Sequence, residues 1–347
     1  MRQDFVSCRF SFIMGMEVFL CMKYPKFLNE NSNTIGVCAM SSGVGHKLDS
    51  FNASIEYIES NGFHIVETAS VRNNSEPSID AKTRVDELNS LVNDSKIGAV
   101  WLAAGGDFQF ETLPYIDFDL IEKNPKWYLG ASDPTNLLFP ITCKCDLVTV
   151  YGFNAGSFDE YGINEYSSLC LDFLKGKNSE LHSSSMHQDV DFYNDGAPIL
   201  NTKTEYVGNC SVSGRLLGGC FESINDMTGT PYDFVEEFNE RYKEDGIIWF
   251  FDIFSMNSCD VYRALLKMKY MGYFKYTKAI LVGRVLFKNV SDLIGYEDAF
   301  KKALPDIKVV FQVDIGHTYP HMYVVNSAMA RVEIKDGHGT INYEIKE

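Results

Sequence analysis

The stretch WYLGASDPTNLLF, residues 127–139, changes from a strand pattern to a helix pattern at one small residue, Ser132. Its first three residues are aromatic and apolar, as in a buried strand. Asp133 and Pro134 then open a helix whose apolar residues follow at helical spacing. Ser132 is therefore predicted at the tip of a strand-to-helix turn, where nucleophilic hydrolases place their serine. A serine before a helix is also a common N-cap, so the local pattern leaves both interpretations open.

Strand and helix patterns alternate on both sides of this turn. We predict strands at 34–40, 63–67, 97–104 and 146–152 and helices at 46–61 and 78–94. Near-continuous apolar strands that alternate with helices indicate an α/β fold with a parallel sheet covered on both faces. Ligand sites in such sheets lie beyond the carboxyl ends of the strands, where Gly105, Gly106 and Ser132 all fall.

The length of 347 residues favours two domains, because one hydrophobic core stops growing at roughly 250–300 residues. The second half repeats the alternation, with strands predicted at 247–254, 279–285 and 309–316 and helices at 259–274 and 296–304. Residues 153–205 are polar and hold one helical stretch, 167–177, so we interpret them as a linker that could line a cleft. The predicted division is an N-terminal extension at 1–30, an N-terminal domain at 31–152, this linker, and a C-terminal domain at 206–347.

The net charge of −16 argues against a nucleic-acid polymer as partner, because phosphate binding needs a basic surface. Nine cysteines without a paired spacing are typical of free thiols in a reducing compartment, so we expect a cytoplasmic protein. Residues 9–21 are apolar but too short to span a bilayer, and no membrane partner is predicted. We interpret this stretch as part of an upstream extension, with the functional protein starting near Met22. The alternative is a weak signal peptide or membrane anchor.

Asp252, His317 and Gly106 each lie at the end of a predicted buried strand. Taken singly, they have ordinary explanations: a turn cap, a structural histidine and a tight turn. Together with Ser132 they supply what acyl transfer requires. A serine nucleophile needs a base, the base needs an anion that fixes its tautomer, and the oxyanion needs paired N–H donors.

No cofactor and no metal is predicted. SGVGHK, residues 42–47, lacks the spacing of a phosphate-binding loop, and no glycine fingerprint for a dinucleotide follows the first strand. His182 and His187 lack the spacing of a helical ligand pair. A proline lies between His317 and His321, and no acidic group is arranged around them as a further ligand.

The block GGDFQFETLPYIDFDLIEKNPKWYLGASDPTNLL, residues 105–138, resembles the signature of the LD-carboxypeptidase and microcin-immunity serine peptidases. The second half agrees in order, with GRLLGG (214–219), GTPYD (229–233), an apolar strand that ends in an acid, and Gly-His near the end. The resemblance implies a flavodoxin-like N-terminal domain and a smaller α/β C-terminal domain. It also implies a Ser–Glu–His triad assembled at their interface, usually in a homodimer.

Carried over to this sequence, the resemblance implies that Ser132 is the nucleophile and His317 the general base. The backbone N–H groups of Gly106 and Asp133 would form the oxyanion hole. These assignments coincide with the residues that the strand ends single out.

The sequence departs from the family pattern at two positions. The family's acid is usually a glutamate, whereas this chain has Asp252, one methylene shorter, in a register fixed by Arg263 of the following helix. Cys220 stands where the family's glycine pair is often followed by asparagine. An aspartate can orient an imidazole, so we expect the chemistry to be retained.

The expected function is that of a serine carboxypeptidase that removes the terminal D-Ala from murein tetrapeptides. One alternative is an immunity-type peptidase or amidase that cleaves a peptidyl- or aminoacyl-nucleotide antibiotic. Its specificity would lie in 153–205, where Tyr161, Tyr166 or Phe192 could stack on a base. The other alternative is a non-catalytic binding module on the same fold. The expected partner is a small peptide or peptidyl-nucleotide substrate, with a homodimer as the assembly.

Overall fold

A computed structural model describes residues 9–13, 16–20, 22–159, 161–189 and 197–345. The strands are β1 (Arg9–Ile13), β2 (Met16–Leu20), β3 (Thr34–Cys38), β4 (His64–Glu67), β5 (Ile97–Leu102), β6 (Trp127–Gly130), β7 (Thr149–Tyr151), β8 (Glu180–His182), β9 (Met186–Gln188), β10 (Leu200–Lys203), β11 (Cys210–Cys220), β12 (Ile247–Asp252), β13 (Thr277–Gly283), β14 (Val309–Val313), β15 (Val324–Asn326), β16 (Met329–Lys335) and β17 (His338–Glu344). The helices are α1 (Leu48–Ser60), α2 (Ala81–Asn93), α3 (Phe118–Lys123), α4 (Thr135–Cys145), α5 (Tyr166–Leu174), α6 (Phe221–Met227), α7 (Val235–Tyr242), α8 (Ser258–Tyr270) and α9 (Tyr296–Ala303). None of these helices is long and apolar enough to cross a membrane.

The first sheet has the order β4-β3-β5-β6-β7, with all five strands parallel and β15 added antiparallel at the β7 edge. This is the flavodoxin-like order, in which a ligand site lies beyond the carboxyl ends of the strands. The residues of β6 are all buried, as expected for a strand covered by helices on both faces. The predicted α/β class and the flavodoxin-like arrangement are confirmed.

The second sheet is mixed. Strands β11, β12, β13 and β14 run parallel, and β16, β17 and β8 extend the sheet antiparallel from β11. The six residues of β12 are all buried, so this strand lies in the centre of the core. Its last residue, Asp252, brings a carboxylate to the carboxyl edge of the sheet.

Residues 153–205 contain more regular structure than the polar pattern indicates. The helix predicted at 167–177 is present as α5. The segment also supplies β8, which pairs with β17 in the second sheet, and β9 and β10, which pair with each other. These strands are three or four residues long, which is too short for an alternating pattern to be recognised. The division at 152 and 205 remains a prediction.

Helix α4 connects the two sheets. The Thr135 hydroxyl at its start accepts the N–H of Cys220, at the end of β11, over 3.0 Å. At the other end of the helix, Asp146 accepts hydrogen bonds from Arg241 (3.1 Å) and Tyr242 (3.0 Å) of α7. Because α4 begins three residues after Ser132, these contacts fix the turn that carries Ser132 against the second sheet.

A buried ion pair holds the chain that follows β14. The side chains of Arg284 and Asp314 are both fully buried, and the guanidinium contacts the carboxylate. Arg284 also donates to the carbonyls of Gln312 (3.0 Å) and Pro320 (3.1 Å) and to the Thr318 hydroxyl (3.2 Å). The loop between these residues carries His317, so one cation fixes both of its ends.

Asp314 also binds the preceding segment of the chain. Its carboxylate accepts the N–H of Ser184 (2.8 Å) and the hydroxyls of Tyr206 (2.7 Å) and Tyr166 (3.2 Å). These donors satisfy the carboxylate oxygens, as a buried charge requires. The segment predicted as a linker is therefore tied to the loop that carries His317.

Arg284→Ala should lower the free energy of unfolding by about 3–5 kcal/mol, because it leaves the Asp314 carboxylate buried without its cation. Arg331→Ala is the matched control, since Arg331 pairs with Glu333 at the surface, where its side chain is 61% exposed. That exposed pair should contribute only about 0–1 kcal/mol. Urea unfolding followed by tryptophan fluorescence measures both variants. If Arg284→Ala lowers the free energy of unfolding no more than Arg331→Ala does, the buried ion pair does not stabilise the loop as described.

Candidate active site

Ser132 lies in a strained turn between β6 and α4. Its φ of 69° is left-handed, a conformation that costs a non-glycine residue about 1–3 kcal/mol. Asn154 holds the preceding residue, because its Oδ1 accepts the N–H of Ala131 (2.9 Å) and its Nδ2 donates to the Ala131 carbonyl (3.0 Å). The N–H of Ser132 itself donates to the Tyr151 hydroxyl over 3.1 Å. The predicted strand-to-helix corner is therefore present and is held by side chains on both sides.

The glycine pair after β5 packs directly on Ser132. A Cβ atom on Gly105 would lie 3.1 Å from the Cβ of Ser132 and 3.3 Å from its Oγ. Gly106 has a φ of 134°, and a Cβ there would lie 2.3 Å from the Oγ of Ser42 and 2.6 Å from that of Ser41. Any side chain at Gly106 would therefore collide with these two hydroxyls, so the backbone can reach this position only as glycine.

The carboxylate of Asp133 is buried and bound away from solvent. It accepts the N–H of Gln109 (2.8 Å), the Ser41 hydroxyl (2.5 Å) and the amide of Asn136 (2.6 Å). Burial raises the pKa of this carboxyl in spite of these donors. Within the ranges that the structure describes, the N–H groups of Asp133 and Gly106 have no protein acceptor. Both N–H groups are thus free to bind a ligand oxygen.

Asp252 and His317 form a pair on the second sheet. The Nδ1 atom of His317 lies 3.0 Å from Oδ1 and 2.8 Å from Oδ2 of Asp252. The Asp252 side chain is 1% exposed and that of His317 is 20% exposed. Gly316 has a φ of 101°, and a Cβ there would lie 2.2 Å from Oδ1 of Asp252, so only glycine lets the two residues meet. The Phe254 ring packs on the imidazole, with ring centres 4.6 Å apart.

Charge and burial compete at this pair. Burial favours the neutral Asp252 carboxyl, but the charge of His317 and hydrogen bonds from His317 and Tyr151 hold its pKa below the ordinary value. Burial likewise disfavours a charged His317, but Asp252 outweighs it and raises the pKa of the imidazole. Because Asp252 occupies Nδ1, Nε2 is the nitrogen of His317 that remains for proton transfer.

Ser132, Asp252 and His317 line one cavity of about 130 Å³ between the two sheets. Its other lining residues come from both halves of the chain and are Ala131, Gly152, Phe153, Asn154, Ser157, Gly316, Tyr319 and His321. His321 is a second imidazole in this wall, and burial together with the charge of His317 lowers its pKa to about 4. His321 is therefore neutral at neutral pH.

Several residues of the site have no recognisable sequence signal. Glu222, just after β11, accepts the N–H groups of Ser255 and Met256, each over 2.9 Å, and so holds the loop that follows Asp252. The roles of Asn154 and Tyr151 are also not predictable from sequence, because asparagine is common in polar loops and tyrosine is common in strands.

Other residues named from the sequence lie elsewhere. Arg263, used to fix the register of Asp252, pairs with Asp260 on α8, where its side chain is 72% exposed. Tyr166 is buried, with its hydroxyl bound to Asp314 and to the carbonyl of His182, so it is not available to stack on a base. The ring of Tyr161 packs against that of Tyr319, which is a lining residue of the cavity, with ring centres 5.6 Å apart. Phe192 lies outside the described residues.

Two family profiles match this chain. The profile described as the LD-carboxypeptidase N-terminal domain covers residues 35–152, and that of the LD-carboxypeptidase C-terminal domain covers residues 213–332. Together these matches span more than half of the chain. It belongs to the LD-carboxypeptidase family. The resemblance carried by residues 105–138 is thereby confirmed, and the family identifies the chain as a peptidase.

Relatives within the LD-carboxypeptidase family carry two kinds of name. A Treponema pallidum protein named as a carboxypeptidase is 30% identical over 260 residues, which cover 72% of this chain and 74% of that protein. The microcin C7 self-immunity protein MccF of Escherichia coli is 26% identical over 289 residues, 78% of this chain and 81% of its own. Sequence identity at this level leaves the substrate undetermined.

Solved structures of the family share the fold. An MccF-like protein from Bacillus anthracis superposes with a TM-score of 0.79 at 24% identity, covering 93% of this chain and 100% of its own. A structure of MccF in complex with glutamyl sulfamoyl guanosine has a TM-score of 0.77 at 20% identity, covering 92% and 98%. Both show the same two-domain layout as this chain.

His317 should titrate above pH 6.5 and His321 near pH 4, because Asp252 stabilises the first imidazolium and burial disfavours the second. NMR of the protein with ¹³C-labelled histidine, assigned with His317→Gln and His321→Gln, measures both pKa values. Asp252→Asn should lower the pKa of His317, since it removes the anion. Equal pKa values for the two imidazoles, or a His317 unaffected by Asp252→Asn, would contradict the electrostatics described above.

Proposed function

We propose that this protein is a serine peptidase of the LD-carboxypeptidase type, with Ser132 as nucleophile, His317 as general base and Asp252 as the acid of the triad. The observation that carries the proposal is the His317–Asp252 pair, 2.8 Å apart at its shorter contact, on the wall of the cavity that Ser132 also lines. A buried carboxylate that fixes an imidazole beside a strained serine is the arrangement of a hydrolase triad.

The proposed mechanism gives each of these residues one step. Nε2 of His317 takes the Ser132 proton as Oγ attacks the amide carbonyl of the substrate, and Asp252 stabilises the imidazolium. The N–H groups of Gly106 and Asp133 bind the oxyanion, each worth on the order of 3 kcal/mol. His317 then gives its proton to the leaving amine, and water attacks the acyl-enzyme with His317 again as base. No metal or cofactor enters this sequence.

We propose a murein tetrapeptide as substrate, cleaved at its terminal D-Ala. Family membership and relatives named as carboxypeptidases support this choice. The second candidate is an aminoacyl- or peptidyl-nucleotide amide, which is favoured by the similarity to MccF and by the MccF complex with glutamyl sulfamoyl guanosine. Phe153, Asn154, Ser157 and Tyr319 line the cavity around Ser132, and we propose that these side chains select between the two substrates.

The remaining parts of the proposal concern setting and assembly. We propose a cytoplasmic homodimer that requires no cofactor, with the boundaries 1–30, 31–152, 153–205 and 206–347 as its divisions. The acidic net charge of −16 supports a small substrate over a nucleic-acid polymer. Sedimentation velocity of the purified chain tests the dimer directly.

Ser132→Ala should reduce D-Ala release from purified murein tetrapeptide by at least about 10⁴-fold, because it removes the nucleophile while leaving the fold intact. Ser90→Ala, on the exposed surface of α2, is the matched control and should retain parental activity. Amino-acid analysis of the released D-Ala provides the readout.

A parallel panel distinguishes the substrates. Release of D-Ala by the parent and not by Ser132→Ala supports the carboxypeptidase. If only a glutamyl sulfamoyl nucleotide is cleaved, and again only with Ser132 present, the immunity-type activity replaces it. No turnover of either substrate, together with no labelling of Ser132 by a fluorophosphonate probe, would establish the non-catalytic binding module and overturn the proposal.

A further inference from the structure

The hydroxyl of Tyr151 joins the two halves of the candidate triad. Tyr151 ends β7 in the first sheet and is 1% exposed. Its hydroxyl donates to Oδ2 of Asp252, which ends β12 in the second sheet, and accepts the N–H of Ser132 over 3.1 Å. One oxygen thus contacts the backbone of the serine and the carboxylate of the acid.

Both hydrogen-bonding functions of this hydroxyl are used. A phenol has one proton to donate, and it goes to Asp252, while a lone pair accepts from Ser132. Burial, followed by the neighbouring Asp252 charge, raises the pKa of Tyr151 well above its ordinary value, so the hydroxyl keeps the proton that it donates. The direction of each bond is therefore fixed.

The tyrosine ring is also fixed. It packs on Phe250, two residues before Asp252 on β12, with ring centres 5.8 Å apart. Strand β15 pairs with β7 so that Val324 lies opposite Tyr151. The ring therefore has little freedom to move its hydroxyl away from Asp252.

We propose that Tyr151 is a positioning residue for the reaction, which sets the acid of the second sheet at a fixed distance from the nucleophilic turn of the first. This inference rests on the proposed function. The contact has a particular use in this chain, because Asp252 is one methylene shorter than glutamate and its carboxylate lies closer to its own strand. The Tyr151 hydroxyl reaches from the first sheet to meet it and holds the carboxylate against His317.

Loss of the hydroxyl should impair chemistry more than binding. Tyr151→Phe keeps the ring but removes the donor that holds the Asp252 carboxylate against His317, so the imidazole is less well placed to take the Ser132 proton. With one donor fewer, Asp252 also attracts the proton on His317 more strongly. The maximal rate of Ser132 acylation by a fluorophosphonate probe should fall about 10–100-fold. The probe concentration at half-maximal rate should stay within about twofold. The acidic limb of the pH–rate profile should move to higher pH, because His317 holds its proton more tightly.

Tyr128→Phe is the matched control. Tyr128 lies on the neighbouring strand β6, is fully buried, and its hydroxyl has no partner among the described residues. This variant should acylate at the parental rate with an unmoved acidic limb. If Tyr151→Phe behaves like Tyr128→Phe, the inference is wrong.

A double-mutant cycle with Asp252→Asn separates positioning from a general effect on folding. Because part of the effect of Tyr151 passes through Asp252, Tyr151→Phe should reduce the acylation rate by a smaller factor once Asp252→Asn is present than it does in the parent. Equal losses of acylation rate in the two backgrounds would overturn the inference.

Should Tyr151→Phe fail to fold, replacement of Tyr151 by 3-fluorotyrosine keeps both hydrogen bonds and makes the hydroxyl a stronger donor. The acidic limb must then move to lower pH, and an unmoved limb contradicts the inference.

The outcomes separate this inference from the proposed function. A parent protein that is not labelled at Ser132 contradicts the peptidase itself. A parent that is labelled at Ser132, with Tyr151→Phe indistinguishable from Tyr128→Phe, contradicts only the role of Tyr151.

Discussion

The carboxylate of Asp252 is a charge placed in the core of the protein, and the site is arranged around it. Its side chain is 1% exposed at the end of a fully buried strand, where an unpaired carboxylate would be costly. His317 and Tyr151 compensate it by hydrogen bonds, and Gly316 leaves the room for their approach. One of the groups that stabilise this charge is the His317 imidazole, which also lines the cavity of Ser132. The hydrogen bond that compensates the buried carboxylate is therefore the same one that orients the imidazole toward the site.

The site depends on two sheets that meet at their carboxyl edges. The first sheet supplies the strained turn at Ser132 and the glycine pair beside it, and the second supplies the acid and the imidazole. Helix α4 fixes the sheets together through Thr135 and Asp146. The buried cation of Arg284 holds the loop around His317. Ser132 and His317 thus lie on short loops that side-chain hydrogen bonds hold in place, and Asp252 is the last residue of β12. The proposed catalysis requires such fixed positions.

Much of this could be predicted from sequence, for physical reasons. The corner at Ser132 is visible because the hydrophobic period changes there, and Asp252 is visible because it ends a strand with no other polar residue. The contacts that hold the site were not predictable. Tyr151 resembles any core tyrosine in a strand, and Arg284 resembles a solvent-facing arginine near the end of the predicted strand 279–285. Strands β8, β9 and β10 are too short and polar to show a period, so the sequence of residues 153–205 indicates only a linker with one helix.

In the proposed mechanism, a nucleophile on one sheet is activated by an acid–base pair on the other. Rapid acid quenching of the protein during turnover of its substrate, followed by peptide mapping with mass spectrometry, tests it most directly. We predict an acyl adduct on Ser132, with the mass of the substrate less its leaving amine, that disappears in Ser132→Ala. Turnover without an adduct on Ser132 in the quenched parent, or an adduct on a different residue, would contradict the account.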